Sequence, residues 1–391
     1  MFGQPGRLRN VGFDVSIIAA PDTWLDKCAS KEGAGRLQLA IAREISPWRD
    51  LMTFICLCRL FLREAPAATI LSGPKAIFLG GMAAWLCGVQ TRVTVYHGMR
   101  QENLSGPLRW ILDACDKLSF ASSTKVLAVS SSLRSLMLER RLLDDDKVKV
   151  IGHGTANGVD PKRFTVTAEG VAASAAMKRS LSIPATAPVI GFVGRLTEDK
   201  GIADAYAAFK ALQASRLDLY FVLVGSVEMR TSQGKDLLAL LRADSQVRLI
   251  EHTDYVEDYL NLFWAQVFPS AREGFGMVVV EAAALAIPTV AYDVTGVRDA
   301  IADGETGTLV PYGNTAALAA ALSTYLDSSE LRLRHGANGW SRTRRLYTPE
   351  YTWPSYLAAL GLPVSSVNRV NEPAMSAIEA SALSDREGLL R

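Results

Sequence analysis

Two short segments hold the residue types best suited to chemistry. The first is Gly194-Arg195-Leu196-Thr197-Glu198-Asp199-Lys200-Gly201. It follows the apolar run Val189–Val193 and precedes the helical pattern Ile202–Ala214. A strand-to-helix turn offers free backbone N–H groups and the positive end of a helix, which favours anions. Arg195 and Lys200 sit in that turn, where they can clamp a diphosphate; the bland alternative is a solvated turn. Gly191 and Gly194 do not make a Gly-x-Gly-x-x-Gly spacing, which argues against a nicotinamide enzyme. The second segment is Glu273-Gly274-Phe275-Gly276-Met277, continuing through Val278–Val280 to Glu281. Gly274 and Gly276 let a ligand approach the backbone closely. Glu273 falls in a loop and Glu281 in the following helix, so the two carboxylates can reach different ends of one elongated ligand. Ionised carboxylates accept strongly from paired sugar hydroxyls. Val278–Val280 and Ala282–Ala284 flank Glu281, so a solvated position explains it poorly and a partner is expected.

The elements that must carry these loops alternate in type. In the first half, Val15–Ala20, Val93–Tyr96, Val126–Val129 and Val148–Ile151 read as buried strands. Pro107–Leu118 and Ser131–Leu142 read as helices between them, with Ser130 to Ser132 as cap candidates. An Ala-, Thr- and Ser-rich stretch at 165–188 marks the junction, with one helix ending near Ser182. A second series then runs through strands Val189–Val193, Leu219–Val224, Val247–Ile250, Gln266–Phe268 and Thr289–Tyr292. Its helices are Ile202–Ala214, Met277–Ala286 and Thr315–Leu326. The expected fold class is α/β, with two doubly wound Rossmann-like domains facing a cleft. Expected boundaries are 1–168 and 169–345, then a helix at 346–362 packing back towards the first domain and a loose tail at 363–391.

With these residues on the page, the chain resembles family 4 glycosyltransferases of the GT-B fold. The resemblance is carried by Gly194-Arg195-Leu196 with Lys200-Gly201, Pro269-Ser270, Glu273-Gly-Phe-Gly276 and Glu281-Ala282. Pro288-Thr-Val-Ala291, Gly296 and Asp303-Gly-Glu-Thr-Gly307 continue it. In the first half, Arg43-Glu44-Ile45-Ser46-Pro47, Tyr96-His97-Gly98-Met99-Arg100 and Gly152-His153-Gly154 with Asn157-Gly158-Val159-Asp160 resemble a subgroup that builds bacterial surface polysaccharides.

The resemblance implies a nucleotide-sugar donor, linked to UDP, and retention of anomeric configuration. It implies that Arg195 and Lys200, beside Gly194, neutralise the leaving diphosphate and that Glu281 binds the ribose. Glu273 and the amides from Phe275 through Gly276 to Met277 would hold the sugar, with His97 near the reacting centre. For His153 and Asn157 a structural role is favoured. The reaction needs stabilised negative charge on the leaving group and no metal or other cofactor. The implied acceptor is a saccharide or a polyprenyl-diphosphate-linked saccharide. Against the family pattern, the chain starts near the end of the first helix, and the first strand and its glycine-rich turn are expected to be absent.

Bulk properties set outer limits. The chain has 391 residues, 49% hydrophobic and 21% charged, with net charge +2, and nothing global asks for nucleic acid. Residues 1–170 hold 22 Lys+Arg against 16 Asp+Glu, and the remainder hold 20 against 24. A basic first half suits an anionic partner. Five cysteines without a Cys-x-x-Cys pair argue against a structural metal or disulfide framework and fit a reducing cytosol. No secretory h-region opens the chain. The apolar runs Ala76–Val89 and Leu51–Leu62 fall short of the roughly 20 residues of a spanning helix and are expected to be buried helices. The expected location is cytoplasmic, with peripheral contact at the inner membrane face allowed. Readings that remain open are a synthase with a soluble acceptor, a nucleotide-sugar binder without turnover, and a sugar-nucleotide epimerase.

Overall fold

The structure, a computed structural model, describes residues 3–41 and 46–362. Arg43, Glu44 and Ile45, and the tail expected beyond Leu362, lie outside the described residues. The chain divides into two compact units. Among the described residues, the first runs to Gly158 and is rejoined by 349–362; the second covers Val159–Thr348.

The first unit opens with α1 (Gln4–Asn10), β1 (Ser16–Ala19), α2 (Thr23–Glu32), β2 (Gly35–Gln38) and α3 (Pro47–Glu64). Then come β3 (Ala68–Ser72), a π-helical turn (Ala76–Gly80) running into α4 (Gly81–Leu86), β4 (Thr91–Tyr96) and α5 (Pro107–Ser122). β5 (Lys125–Ala128), α6 (Ser131–Glu139) and β6 (Val148–Val150) complete this part. β1 pairs only with β2, in parallel, and β3-β4-β5-β6 form a separate parallel sheet. Among the described residues no strand joins the two sheets. As foreseen, Ser130 caps α6: its Oγ accepts from the Leu133 amide at 3.2 Å. β2 and β3 were not anticipated. Gly35-Arg-Leu-Gln38 lacks the apolar run that marks a buried strand.

The second unit contains α7 (Ala168–Ser180), β7 (Val189–Val193), α8 (Ile202–Gln213), β8 (Tyr220–Val224), α9 (Ser232–Ala243) and β9 (Val247–Ile250). α10 (Val256–Leu260), β10 (Ala265–Phe268), α11 (Met277–Ala284), β11 (Thr289–Tyr292) and α12 (Val297–Ala300) follow. β12 (Gly307–Val310), α13 (Thr315–Asp327) and α14 (Ser329–Leu346) close it. The six strands lie in the order β12-β11-β10-β7-β8-β9, all parallel. β7 and β10 are wholly buried, as a sheet covered on both faces requires. The last described helix, α15 (Pro349–Ala359), belongs to the first unit. There the Tyr356 hydroxyl donates to the Ala156 carbonyl at 2.9 Å and the Ser355 hydroxyl accepts from the Gly152 amide at 2.9 Å.

The two apolar runs do form helices, but they are buried on one side only. Leu57, Phe61, Ala83 and Ala84 enter one core cluster. Trp48, Leu51, Leu62, Trp85 and Leu86 are exposed. No described helix is long and apolar enough to cross a membrane.

α14 positions α11 through glycine. A Cβ on Gly336 would lie 2.3 Å from the Ala286 carbonyl oxygen, and one on Gly339 would lie 3.2 Å from the Ala283 Cβ. The helix backbones can approach closely only because both side chains are absent. Gly336→Ala should push α14 off α11 and lower stability by about 1–3 kcal/mol, read as a lower Tm. Unchanged melting would contradict this packing account.

Candidate active site

The strand order reverses at β7, which has β8 on one side and β10 on the other. Connections leaving the carboxyl ends of such neighbours diverge to opposite faces and open a crevice between them. The two loops with chemically suited residues leave those two strands. Their backbones are tied together. The Ala271 amide donates to the Asp199 carbonyl at 2.9 Å, and Arg272 Nη2 lies 3.3 Å from Asp199 Oδ2. Gly201 has φ +69° and a Cβ there would sit 2.0 Å from the Pro269 carbonyl oxygen, so glycine alone permits this approach.

Within this frame Lys200 Nζ donates to Glu273 Oε1. The two side chains are only 16% and 15% exposed, so the pair is largely shielded from water. Arg195 turns elsewhere: its Nη1 donates to Glu228 Oε2 at 3.1 Å, and its side chain is 57% exposed. The structure thus joins Lys200 to Glu273 and leaves Arg195 on a separate partner. Gly194 lies at φ +150°, and a Cβ on Gly225 would reach within 2.0 Å of its carbonyl oxygen. Glu198 acts as a staple. It accepts from the Arg230 and Thr231 amides, each at 3.0 Å, and from the Thr231 hydroxyl at 2.8 Å. Those bonds hold its pKa down at about 2.

Gly276 opens α11 at φ +85° with no side-chain cap. The helix therefore starts with backbone donors and positive dipole beside Glu273. Phe275 is buried and packs edge-on to Tyr347 at 5.1 Å, so its amide rather than its ring is available to a ligand. The loop is backed by Gly296, where a Cβ would meet the Glu273 carbonyl oxygen at 2.7 Å.

Glu281 is half-buried in the middle of α11. Desolvation raises its pKa to about 7; Arg163 opposes the shift and Glu257 adds to it. The Arg163 fork is spent on Glu257, with Nε to Oε1 at 2.9 Å and Nη2 to Oε2 at 2.6 Å. The expected partner of Glu281 is thus a cation already shared with another carboxylate. Arg163, Glu257, Arg272 and Glu228 were missed by sequence reasoning. Arg272 directly precedes Glu273 in the same loop, whereas Arg163, Glu257 and Glu228 lie on other segments that no spacing pattern links to the site.

His97 belongs to the first unit, just past the end of β4. Desolvation by surrounding protein pushes its pKa down to about 4, although the residue keeps solvent contact that restores part of its hydration. The imidazole is neutral at pH 7 and can both donate and accept. His153 stacks edge-on to Tyr351 at 6.2 Å, and Asn157 Oδ1 accepts from Gln4 Nε2 at 2.9 Å, so both have structural contacts.

Residues 174–342 match the model of glycosyl transferases group 1, and residues 6–154 match a glycosyl transferase 4-like domain. This chain is a glycosyltransferase, with a group 1 domain in its second half. It is 28% identical over 353 residues to the capsular polysaccharide biosynthesis glycosyltransferase CapM of Staphylococcus aureus, covering 90% of this chain and 91% of CapM. It is 27% identical to alpha-maltose-1-phosphate synthase of Mycolicibacterium smegmatis, over 70% of this chain and 72% of that protein. Among solved structures, a Rickettsia africae glycosyltransferase superposes with TM-score 0.73 at 18% identity, covering 91% and 92% of the two chains. Anabaena HepE with UDP-glucose superposes with TM-score 0.74 at 17% identity, covering 88% and 91%. The glycosyltransferase thus has the GT-B fold, with parallel sheets in two Rossmann-like halves.

The Glu281 shift has a pH consequence. Its folded pKa lies above the ordinary 4.5, so the fold holds a proton that the unfolded chain gives up first. The stability this group contributes falls as pH rises from about 4.5 to about 7, and the loss is complete above that. Glu281→Gln should therefore raise the stability of the ligand-free glycosyltransferase by about 1–2 kcal/mol at pH 8 and change it little at pH 4. Thermal melts at the two pH values read the difference, and equal shifts at both would refute the assignment.

Proposed function

We propose that the enzyme transfers a sugar from a UDP-linked donor to a saccharide or polyprenyl-diphosphate-linked acceptor in surface polysaccharide assembly. The observation that carries this reading is the shielded Lys200–Glu273 pair beside the start of α11, with Glu281 further along the same helix. CapM, by its name, makes capsular polysaccharide, and HepE binds UDP and UDP-glucose; both support the reading.

In this scheme the bond from the anomeric carbon to the diphosphate oxygen breaks, and that oxygen takes the electron pair. The acceptor hydroxyl oxygen forms the new bond to that carbon, and its proton passes to the departing diphosphate oxygen. The α11 amides and Lys200 stabilise the growing negative charge, with Arg195 as a second cation at the turn. An incoming diphosphate competes with Glu273 for Lys200, which frees a Glu273 oxygen to accept from sugar hydroxyls. Glu281, when ionised, accepts from the ribose diol. His97 is assigned to the reacting sugar as a neutral hydrogen-bonding group. Configuration at the anomeric carbon is retained. With a lipid-linked acceptor, the enzyme works in peripheral contact with the inner membrane face.

Calorimetry with UDP and product-release kinetics test the division of labour. Glu281→Ala should weaken UDP binding about tenfold, the loss of one or two charge-assisted hydrogen bonds. Lys200→Ala should lower kcat by about 10²-fold or more with a smaller change in KM. Wild-type values in both variants would refute the site. UDP binding without acceptor-dependent UDP release would favour a binder without turnover.

A further inference from the structure

α5 is packed with its polar side inward. The residues it buries are Asp113, Ser119, Phe120 and Ser122. The residues it exposes include Leu108, Trp110, Ile111 and Leu118, with Trp110 70% exposed. An ordinary surface helix does the reverse. The inner side cannot simply turn outward, because it is in use. Gln101 Nε2 donates to Asp113 Oδ1 at 3.1 Å and to Asp116 Oδ2 at 2.7 Å, and the Tyr96 hydroxyl donates to Asp116. Arg140 then holds the same loop by the Gln101 and Glu102 carbonyls at 3.2 and 2.8 Å. The polar side of α5 therefore anchors the loop that follows His97, and the apolar side is left to solvent.

α3 presents a matching face. Thr53, Leu57 and Phe61 point into the unit. Trp48, Leu51, Met52 and Leu62 lie on the opposite side and are exposed, Trp48 by 70%. Leu51, Met52 and Leu62 follow Trp48 by three, four and fourteen residues, which keeps all four on one stripe of a helix. α4 packs against both α3 and α5 and exposes Trp85 and Leu86. Across α3 and α5 the exposed charged residues are Arg49, Arg59, Arg63, Lys117 and Glu64, and Glu64 is already paired with Arg63 at 2.6 Å.

We propose that the outward faces of α3, α4 and α5 dock on an anionic lipid bilayer, with Trp48, Trp85 and Trp110 entering the headgroup region. Exposed tryptophans beside aliphatic residues and flanked by arginine and lysine are suited to that interface. The cations select anionic headgroups. They also disfavour a second copy of the same face, since like charges would meet. The purpose of this surface rests on the membrane-linked acceptor proposed above, but lipid binding is measured without any substrate. Docking through α5 would bear on the helix that holds the loop after His97, so lipid contact and acceptor handling share one element.

The test is co-sedimentation of the full chain with phosphatidylcholine vesicles, with and without phosphatidylglycerol. The wild type should partition onto the phosphatidylglycerol vesicles and come off in salt. Trp110→Ser with Ile111→Ser, and separately Arg59→Glu with Lys117→Glu, should each weaken partitioning at least about tenfold. Leu217→Ser, at an 82% exposed site in the second unit, should not. Circular dichroism and UDP binding should stay at wild-type values in all three variants, which separates failure of this surface from failure of the donor site. Three results would overturn the proposal. One is a wild type that ignores anionic vesicles. Another is variants that bind like the wild type. The third is a concentration-dependent dimer that Trp110→Ser with Ile111→Ser abolishes.

Discussion

The site depends on a backbone-to-backbone seam between two loops that leave adjacent parallel strands. The Ala271 amide meets the Asp199 carbonyl, and Gly201 lies against the Pro269 carbonyl with no room for a Cβ. β7 and β10 are neighbours only because the strand order reverses there. Without the seam, Lys200 and Glu273 would sit on two independent turns. With it, a cation and an anion from segments far apart in sequence meet in a partly dry setting, where their attraction is stronger than at an open surface.

Charge compensation then sets how the site behaves. Lys200 is held by Glu273, Arg195 by Glu228 and Arg163 by Glu257. Each cation has a local carboxylate, so an anionic ligand must exchange partners rather than meet bare charge. Glu281 is the member of this neighbourhood with the least compensation, and its raised pKa records that deficit. Local pairing of this kind spares the fold uncompensated charges in a partly buried setting.

The two loops of the candidate site were legible because their signals are local. β7, β9 and β11 are short apolar runs bounded by turn residues, and Gly274 and Gly276 mark a backbone that must bend. α14 was not anticipated; in the fold Gly336 and Gly339 are the points where it lies against α11 and the turn that follows it. The Arg163–Glu257 fork beside Glu281 was hidden for another reason: its partners converge only through the tertiary fold. Helical periodicity located α5 but not its orientation. A moment calculated from sequence is the same whether the apolar side faces the core or the solvent. The bonds that Gln101 donates to Asp113 and Asp116, with that of the Tyr96 hydroxyl to Asp116, set which way it turns.

The first unit is discontinuous along the chain, since α15 returns to it after Val159–Thr348 of the second unit. Tyr356 then closes on Ala156 and Ser355 on Gly152, contacts some two hundred residues apart. During synthesis the amino-terminal part must therefore wait, with the Ala156 and Gly152 backbone groups unsatisfied by their final partners, while the second unit emerges and folds. Completion of the first unit is a late event with a long loop to close. The order in which the ribosome delivers the chain makes α15 the latch of the amino-terminal half.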